Sequence, residues 1–297
     1  MSILIVGGAG VIGGDAALHF RSAGEDVAIA GRKQPQAGPM TAFPFVALDY
    51  IANDVPAAVL GRFDTVVFAA GNDVRHQPKG SGDGHWQRAN SQGVPRFAAA
   101  AKSAGVTTFI NVGSYYPQAA PHLVDLDPYI RSRRDADDGV RALNDGTFRA
   151  ISVNAPVVVG PLPGVPSRPL RACVGYAEGR LDLPVCAPPG GTNYITTTSL
   201  TQAIDGAIKR GVGGTPYLVG DENWTYQQYF GAFFEALGKP APPVIDQEHP
   251  LLPDSAIYGG RGSQISYEPP AAETELLGYR RDDVRRIINE AVAQYRT

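Results

Sequence analysis

The sequence predicts an α/β protein, a doubly wound parallel sheet with a small C-terminal lobe, and three observations carry that prediction. The first is the opening unit. An apolar run, Ser2-Ile3-Leu4-Ile5-Val6, meets the glycine-punctuated turn Gly7-Gly8-Ala9-Gly10-Val11-Ile12-Gly13-Gly14. An apolar-striped segment to Ala23 and a second apolar run, Val27-Ala28-Ile29-Ala30-Gly31, complete a βαβ unit. The second is the alternation of short apolar runs with helix-length segments as far as Gly160, the pattern of a parallel sheet covered on both faces. The third is the change of texture beyond Gly160, where Pro161, Pro163, Pro166, Pro169, Pro184, Pro188 and Pro189 punctuate the chain.

Whole-chain numbers exclude several classes. With 297 residues the chain is long enough for a substantial core. Its formal charge, 26 − 29 = −3, and the absence of a long basic run argue against a nucleic-acid partner. Two cysteines, Cys173 and Cys186, make neither a disulfide scaffold nor a metal-ligand spacing, so no metal and a reducing, cytoplasmic location are expected. No apolar stretch approaches the ~18 residues of a membrane helix. The apolar start has no basic region before it and reads as the first strand rather than a signal peptide.

The opening glycines have separable jobs. Gly7 allows the tight turn out of the strand, Gly10 lets the backbone approach a pyrophosphate, and Gly13 lets the helix pack closely. The helix start at Val11 and Ile12 then offers unpaired N–H groups to phosphates. A structural turn without a ligand is the plain alternative. The second strand bears on which dinucleotide binds. At 32 − 13 = 19 positions after Gly13, where an NAD site usually carries Asp or Glu, stand Arg32 and Lys33. A guanidinium suits a 2′-phosphate, so NADP is expected in preference to NAD, against the plain reading of a solvated charge pair.

The chain then reads in order. Residues 43–49 form a strand whose end, Asp49-Tyr50, is placed to meet an adenine ring. A short helix over 54–60 precedes a buried strand from Asp64 to Asn72. Its small residues Ala69, Ala70 and Gly71 let the strand end pass close to ribose and nicotinamide. Residues 73–84 are loop, with His76 and His85 expected at the surface. A long helix over 85–103 carries Asn90, either toward the active centre or as a polar surface residue. A strand over 107–114 follows, then a helix from Pro128 to Leu143 capped by Asp127. Strands at 148–154 and 157–159, a helix at 170–178, a helix at 200–209 capped from Thr196–Ser199, and a strand at 215–220 come next. Thr225 caps a Tyr- and Phe-rich helix. A loose segment, 250–270, and a closing helix, 282–295, end the chain.

Three residues suit proton transfer beside a carbonyl. Ser114 ends a strand at the carboxyl edge of the sheet, where open α/β folds place their ligands. Tyr129 follows at 129 − 114 = 15 positions, in the first turn of a helix, and Arg133 is one turn further on the same face. A cation and a helix N-terminus favour the phenolate, and a serine hydroxyl can hold a carbonyl oxygen. Each also has a plain reading: an ordinary strand-end serine, a packed tyrosine ring, and a wet helix face formed by Arg131, Arg133 and Arg134.

With Gly7-x-x-Gly10-x-x-Gly13, Ala69-Ala70-Gly71, Ser114 and Tyr129-x-x-x-Arg133 in view, the chain resembles the short-chain dehydrogenase/reductase superfamily. It is most similar to the extended and atypical branches of NAD(P)-dependent epimerases, dehydratases and reductases. Val153–Pro161, Tyr194–Leu200 and Tyr217–Thr225 resemble later segments of such proteins. The resemblance implies a Rossmann-type core over 1–160 with a return at 192–235, and a substrate lobe from 161–191 and 236–297. It implies a dinucleotide held by Gly7, Gly10, Val11, Ile12, Gly13, Arg32, Lys33, Asp49, Tyr50, Ala69, Ala70, Gly71 and Asn90, with Tyr129 and Arg133. It also implies a homodimer. It places the carbonyl-orienting hydroxyl at Ser114 and the proton-transferring tyrosine at Tyr129. The family's lysine is replaced here by Arg133, which keeps the charge but not the compact ammonium. Lys79 and Lys102 do not match the lysine's spacing, and Tyr115 and Tyr116 are alternative proton donors.

The function expected from these features is an NADP-dependent oxidoreductase that interconverts a carbonyl and an alcohol on a small organic substrate. A second reading is a sugar-nucleotide epimerase or dehydratase, with Arg168, Arg171 and Arg180 as candidates to hold a diphosphate. A third is a non-catalytic NADP-binding sensor or regulatory protein, for which Arg133 in the lysine position is the best support.

Overall fold

A computed structural model describes the chain except for residues 56, 74–76, 79 and 83, so the expectations for His76 and Lys79 fall outside the described residues. Seven strands form an all-parallel sheet: β1 (Ser2–Val6), β2 (Asp26–Gly31), β3 (Phe45–Ala47), β4 (Thr65–Phe68), β5 (Thr108–Ser114), β6 (Arg149–Ala155) and β9 (Pro216–Leu218). Their spatial order is β3-β2-β1-β4-β5-β6-β9. The chain winds outward from β1 in both directions, which leaves a crevice beyond the carboxyl ends of β1 and β4 where ligands of this architecture sit. This is the doubly wound, Rossmann-type arrangement expected.

Burial on both faces explains the near-continuous apolar strands. Successive side chains point to opposite faces, so Ile3, Ile5 and Ile29 pack with Ala16 and Phe20 of α1 (Val11–Ser22), and with Leu200 and Ile204 of α8 (Thr197–Arg210). Leu4, Val6 and Phe68 face the other way, against Phe97 and Ala101 of α4 (Gly93–Ser103) and Val140 of α6 (Pro128–Arg141).

Capping residues start the helices where the sequence places them. Asp127 Oδ1 accepts from Ile130 N at 3.0 Å, and Thr196 Oγ1 accepts from Ser199 N at 3.1 Å. Thr225 and Gln228 form a reciprocal capping box at the start of α9 (Tyr226–Ala236). Ser167 caps α7 (Arg168–Glu178), which packs with α9 and α11 (Val284–Tyr295) around Val174, Tyr176, Phe230 and Ile288.

Several elements differ from expectation. The helix expected over 85–103 starts as α3 (Gly84–Trp86), passes through π geometry at Gln87–Gln92, and resumes as α4. Residues 57–60 form only one helical turn, α2 (Ala57–Leu60), and α5 (Tyr116–Ala119) is equally short. A second sheet was not legible. In it β8 (Gly191–Thr196) pairs with β7 (Val157–Val159), β10 (Glu222–Thr225) and β11 (Gln264–Ile265). All six residues of β8 are buried, so it shows no alternation, and β11 is two residues long. Helix α10 (Ala271–Leu277) lies just past the loose segment expected over 250–270, behind Pro270. Among the described residues no helix is long and apolar enough to cross a membrane.

Candidate active site

The glycine turn has the geometry its sequence requires. Gly7 adopts φ +83°, and a methyl group on it would lie 2.8 Å from Ala69 O. A methyl on Gly13 would lie 2.5 Å from Gly7 O, so the first turn of α1 is pressed against the turn that precedes it. Gly10 N donates to Gly7 O at 2.9 Å, and Gly14 N to Gly10 O at 2.8 Å. Ala9, Gly10 and Val11 are exposed, and a methyl on Gly10 would meet only Gly7 O, at 3.3 Å. The amides opening α1, those of Val11, Ile12 and Gly13, precede the first intrahelical bond and so form a cradle of N–H groups next to the exposed turn of Ala9, Gly10 and Val11. That cradle fits a dinucleotide's pyrophosphate.

The ends of β2 and β3 look different from expectation. Arg32 and Lys33 are exposed and make no hydrogen bond or ion pair among the described residues. The Asp49 carboxylate accepts from Ile51 N at 3.0 Å and Ala52 N at 3.2 Å, so it shapes its own turn. Tyr50 is not presented as a platform for adenine. It is buried with its ring edge-on to Phe68 at 4.9 Å, and its hydroxyl donates to Ala70 O at 3.0 Å while accepting from Asn72 Nδ2 at 2.6 Å. Burial pushes this phenol up to about 12. Tyr50 therefore supports the Ala69-Ala70-Gly71 strand end from beneath.

Asn90 is fully buried, not a surface residue. Its Nδ2 donates to Asn72 O at 3.1 Å and to Ser132 Oγ at 3.0 Å, and its Oδ1 accepts from Asn72 N at 3.3 Å. Ser132 Oγ in turn donates to Tyr129 O at 2.7 Å. The π segment thus aims Asn90 inward to brace the exit of β4 against the first turn of α6, consistent with π turns marking functional sites. His85, expected at the surface, is also buried and lies edge-on to Trp86 at 5.0 Å.

The three candidate chemical groups come from β5 and α6. Ser114 is the last residue of β5, is 8% exposed, and makes no side-chain hydrogen bond among the described residues. Tyr129 is buried in the first turn of α6, edge-on to Trp86 at 5.3 Å and stacked on Tyr258 at 5.0 Å. Arg133 is not part of a wet face. Its Nη2 donates to Val112 O at 3.0 Å, two residues before Ser114, and its Cζ lies 6.0 Å from the Tyr129 ring centroid. The guanidinium rests on Gly71, where a methyl would come within 2.7 Å of Nη1. Arg133 therefore joins the strand ending in Ser114, the exit of β4 and the tyrosine helix.

Tyr115 is committed elsewhere, with its hydroxyl 2.5 Å from Thr192 Oγ1, and the Tyr116 ring packs 4.1 Å from it. Burial pushes both phenols well above the ordinary range, which disfavours either as a proton acceptor. Arg168 and Arg171 are exposed on α7, while Arg180 pairs with Glu178 and donates to Tyr295 O. No group of three His, Cys, Asp or Glu residues suited to a metal occurs among the described residues. Sequence reasoning missed Asn72, Trp86 and Tyr258. Asn72 adjoins the small-residue strand end and was within reach of that signal, whereas Tyr258 lies in a loop with no motif.

The chain matches the NAD dependent epimerase/dehydratase family over residues 3–186. No curated protein matches it in sequence. Solved structures share its fold over nearly its whole length. A dTDP-glucose 4,6-dehydratase double mutant from Streptomyces venezuelae, with NAD bound, is 19% identical over 100% of this chain and 97% of its own, with a TM-score of 0.76. A UDP-glucose 4-epimerase from Bifidobacterium longum, in complex with NAD+ and UDP, is 16% identical over 98% and 97%, with a TM-score of 0.74. A UDP-N-acetylglucosamine 4-epimerase from Bacillus cereus is 14% identical over the whole of both chains, also at 0.74. The cofactor carried by these relatives overturns the expectation of NADP, since those described with a dinucleotide hold NAD. The physical reason lies in Arg32. An exposed guanidinium can hydrogen-bond to ribose hydroxyls or lie flat on adenine as readily as it can meet a phosphate, so its presence does not select NADP. By its family match and its fold, the chain belongs to the NAD dependent epimerase/dehydratase family, as an enzyme of the short-chain dehydrogenase/reductase type.

Proposed function

We propose that this enzyme uses NAD to oxidise a sugar carbinol of a nucleotide sugar transiently, the step that opens epimerisation or dehydration. The support comes from the family match and from relatives that are nucleotide-sugar epimerases and a dehydratase. This replaces the broader expectation of a carbonyl reductase for a generic small substrate. NAD, when bound, supplies a reversible hydride acceptor. The amides of Gly10 to Gly13 would receive its pyrophosphate, and Ala69 to Gly71 would pass beside its ribose and nicotinamide.

The observation that carries the reading is the seat of Arg133. It bonds Val112 O, rests on Gly71 and lies beside the Tyr129 ring, so its charge acts where a phenolate would form. Tyr129 would then take the proton from the sugar hydroxyl and return it, while Ser114 donates to the oxygen as it becomes a carbonyl. Arginine can serve here because the lysine's electrostatic task needs a cation, and Gly71 makes room for the larger head group. The segments 161–191 and 236–297 would supply the substrate lobe.

Testing requires NAD-loaded protein incubated with UDP-glucose, UDP-N-acetylglucosamine and dTDP-glucose, with products resolved by NMR. The wild type is expected to convert at least one of these. Tyr129→Phe should lose roughly 10²–10⁴ in rate while NAD binding persists. A wild type that binds NAD but converts none, or an undiminished Tyr129→Phe, would refute the reading.

A further inference from the structure

Tyr258 brings an unused hydroxyl from the C-terminal part of the chain to the proton-transfer site. Its ring stacks on Tyr129 at 5.0 Å with 22° between planes, and meets Tyr116 edge-on at 4.8 Å. The hydroxyl oxygen is shielded from solvent and has no hydrogen-bond partner among the described residues. Asp127, Asp73 and Arg133 are the charged groups near enough to act on it, and the stacked ring sets it beside Tyr129. A buried hydroxyl without a partner is costly to keep, and a phenylalanine would stack on Tyr129 equally well. The hydroxyl therefore has no work to do in the ligand-free protein.

We propose that the Tyr258 hydroxyl is a hydrogen-bond donor to the sugar of the bound nucleotide sugar, holding the ring against Tyr129. This rests on the nucleotide-sugar reading above and adds a substrate-contacting residue to it. Burial keeps the Tyr258 phenol well above its ordinary range, so it stays protonated and donates, while proton transfer is left to Tyr129. A sugar hydroxyl is the matching acceptor, and a nucleoside diphosphate without the sugar has nothing to offer there.

The test is calorimetry on NAD-loaded wild type and Tyr258→Phe, comparing UDP with UDP-glucose and dTDP with dTDP-glucose. The variant is expected to bind the diphosphates unchanged. It should bind the sugar nucleotide preferred by the wild type roughly two- to tenfold more weakly, the range of one net hydrogen bond. Without ligand it should melt no lower than the wild type, because it loses an unpaired hydroxyl and no contact. A variant that retains the full gain from the sugar overturns this proposal alone, and so does a lower melting temperature. A wild type that gains nothing from the sugar overturns both this proposal and the nucleotide-sugar reading.

Discussion

Gly71→Ala puts the seat of Arg133 to a quantitative test. The added methyl would lie 2.7, 3.0 and 3.1 Å from Nη1, Nη2 and Cζ of Arg133. Comfortable contact begins near ~3.5 Å, so the guanidinium must retreat by roughly 0.8 Å. Its bond to Val112 O, now 3.0 Å, does not survive a shift of that size. Losing a hydrogen bond from a charged donor costs about 1.5–3 kcal/mol. Weakening the contact with the Tyr129 ring adds about 0.5–1 kcal/mol. The sum, about 2–4 kcal/mol, should appear as a lower urea midpoint at unchanged slope. In an Arg133→Lys background the planar fork is gone, and the same methyl should cost under about 1 kcal/mol, leaving a coupling energy of at least ~1 kcal/mol. Costs that add to within about 0.5 kcal/mol would refute the argument, because residues not in contact behave that way. Turnover should fall in the single variant as well, since the displaced cation no longer favours the Tyr129 phenolate.

His249 is fully buried between Phe230 (4.4 Å) and Tyr176 (5.1 Å), its Nδ1 accepts from Leu251 N, and burial lowers its pKa from 6.5. The unfolded chain takes up a proton near 6.5 that the folded chain refuses, so this stability is complete above 6.5 and is lost as pH falls toward the depressed folded value. Urea midpoints should therefore fall between about pH 7.5 and pH 5.5, and by less in His249→Phe; equal falls would count against it. Both cysteines are buried and burial pushes the Cys173 thiol up to about 12, so a thiol reagent should label neither until urea unfolds the chain. Labelling at an unfolding-independent rate would contradict the packing. Tyr115→Phe leaves the Thr192 hydroxyl unpaired and should cost about 1–3 kcal/mol while turnover stays within a few-fold. A collapse of turnover would move proton transfer from Tyr129 to Tyr115.

The parts of this molecule legible in its sequence are those governed by local rules. Gly7 and Gly13 are dictated by a turn and a close approach, Asp127 and Thr225 by orphan amides, and β1, β2, β4 and β5 by burial on two faces. The second sheet was missed because β8 is buried throughout and its partners β7, β10 and β11 are two to four residues long. Of these pieces only β7 is expected from the sequence, as the apolar run 157–159; β8, β10 and β11 carry no periodic signal, and only their pairing makes them strands. Asn90 is left open between the site and the surface, and His85 is misplaced at the surface, for a related reason: a polar residue on a helix reads as exposed unless its buried partners are known. Asn72 O and Ser132 Oγ, which pair with Asn90, lie 18 and 42 residues away.

Arg133 shows the limit most clearly. Read along the chain it is a substitution that puts turnover in doubt, because the family's lysine is compact and arginine is not. Across the sheet, the same residue has a carbonyl to bond at Val112, a tyrosine ring beside it and a glycine beneath it. Gly71 has one reason to be small that the sequence suggests, the proposed passage of a dinucleotide, and another that concerns the guanidinium. The second is invisible without the structure, because residues 71 and 133 belong to different elements. The departure at 133 is therefore half of a pair, and the Gly71 and Arg133 cycle measures whether the other half compensates for it.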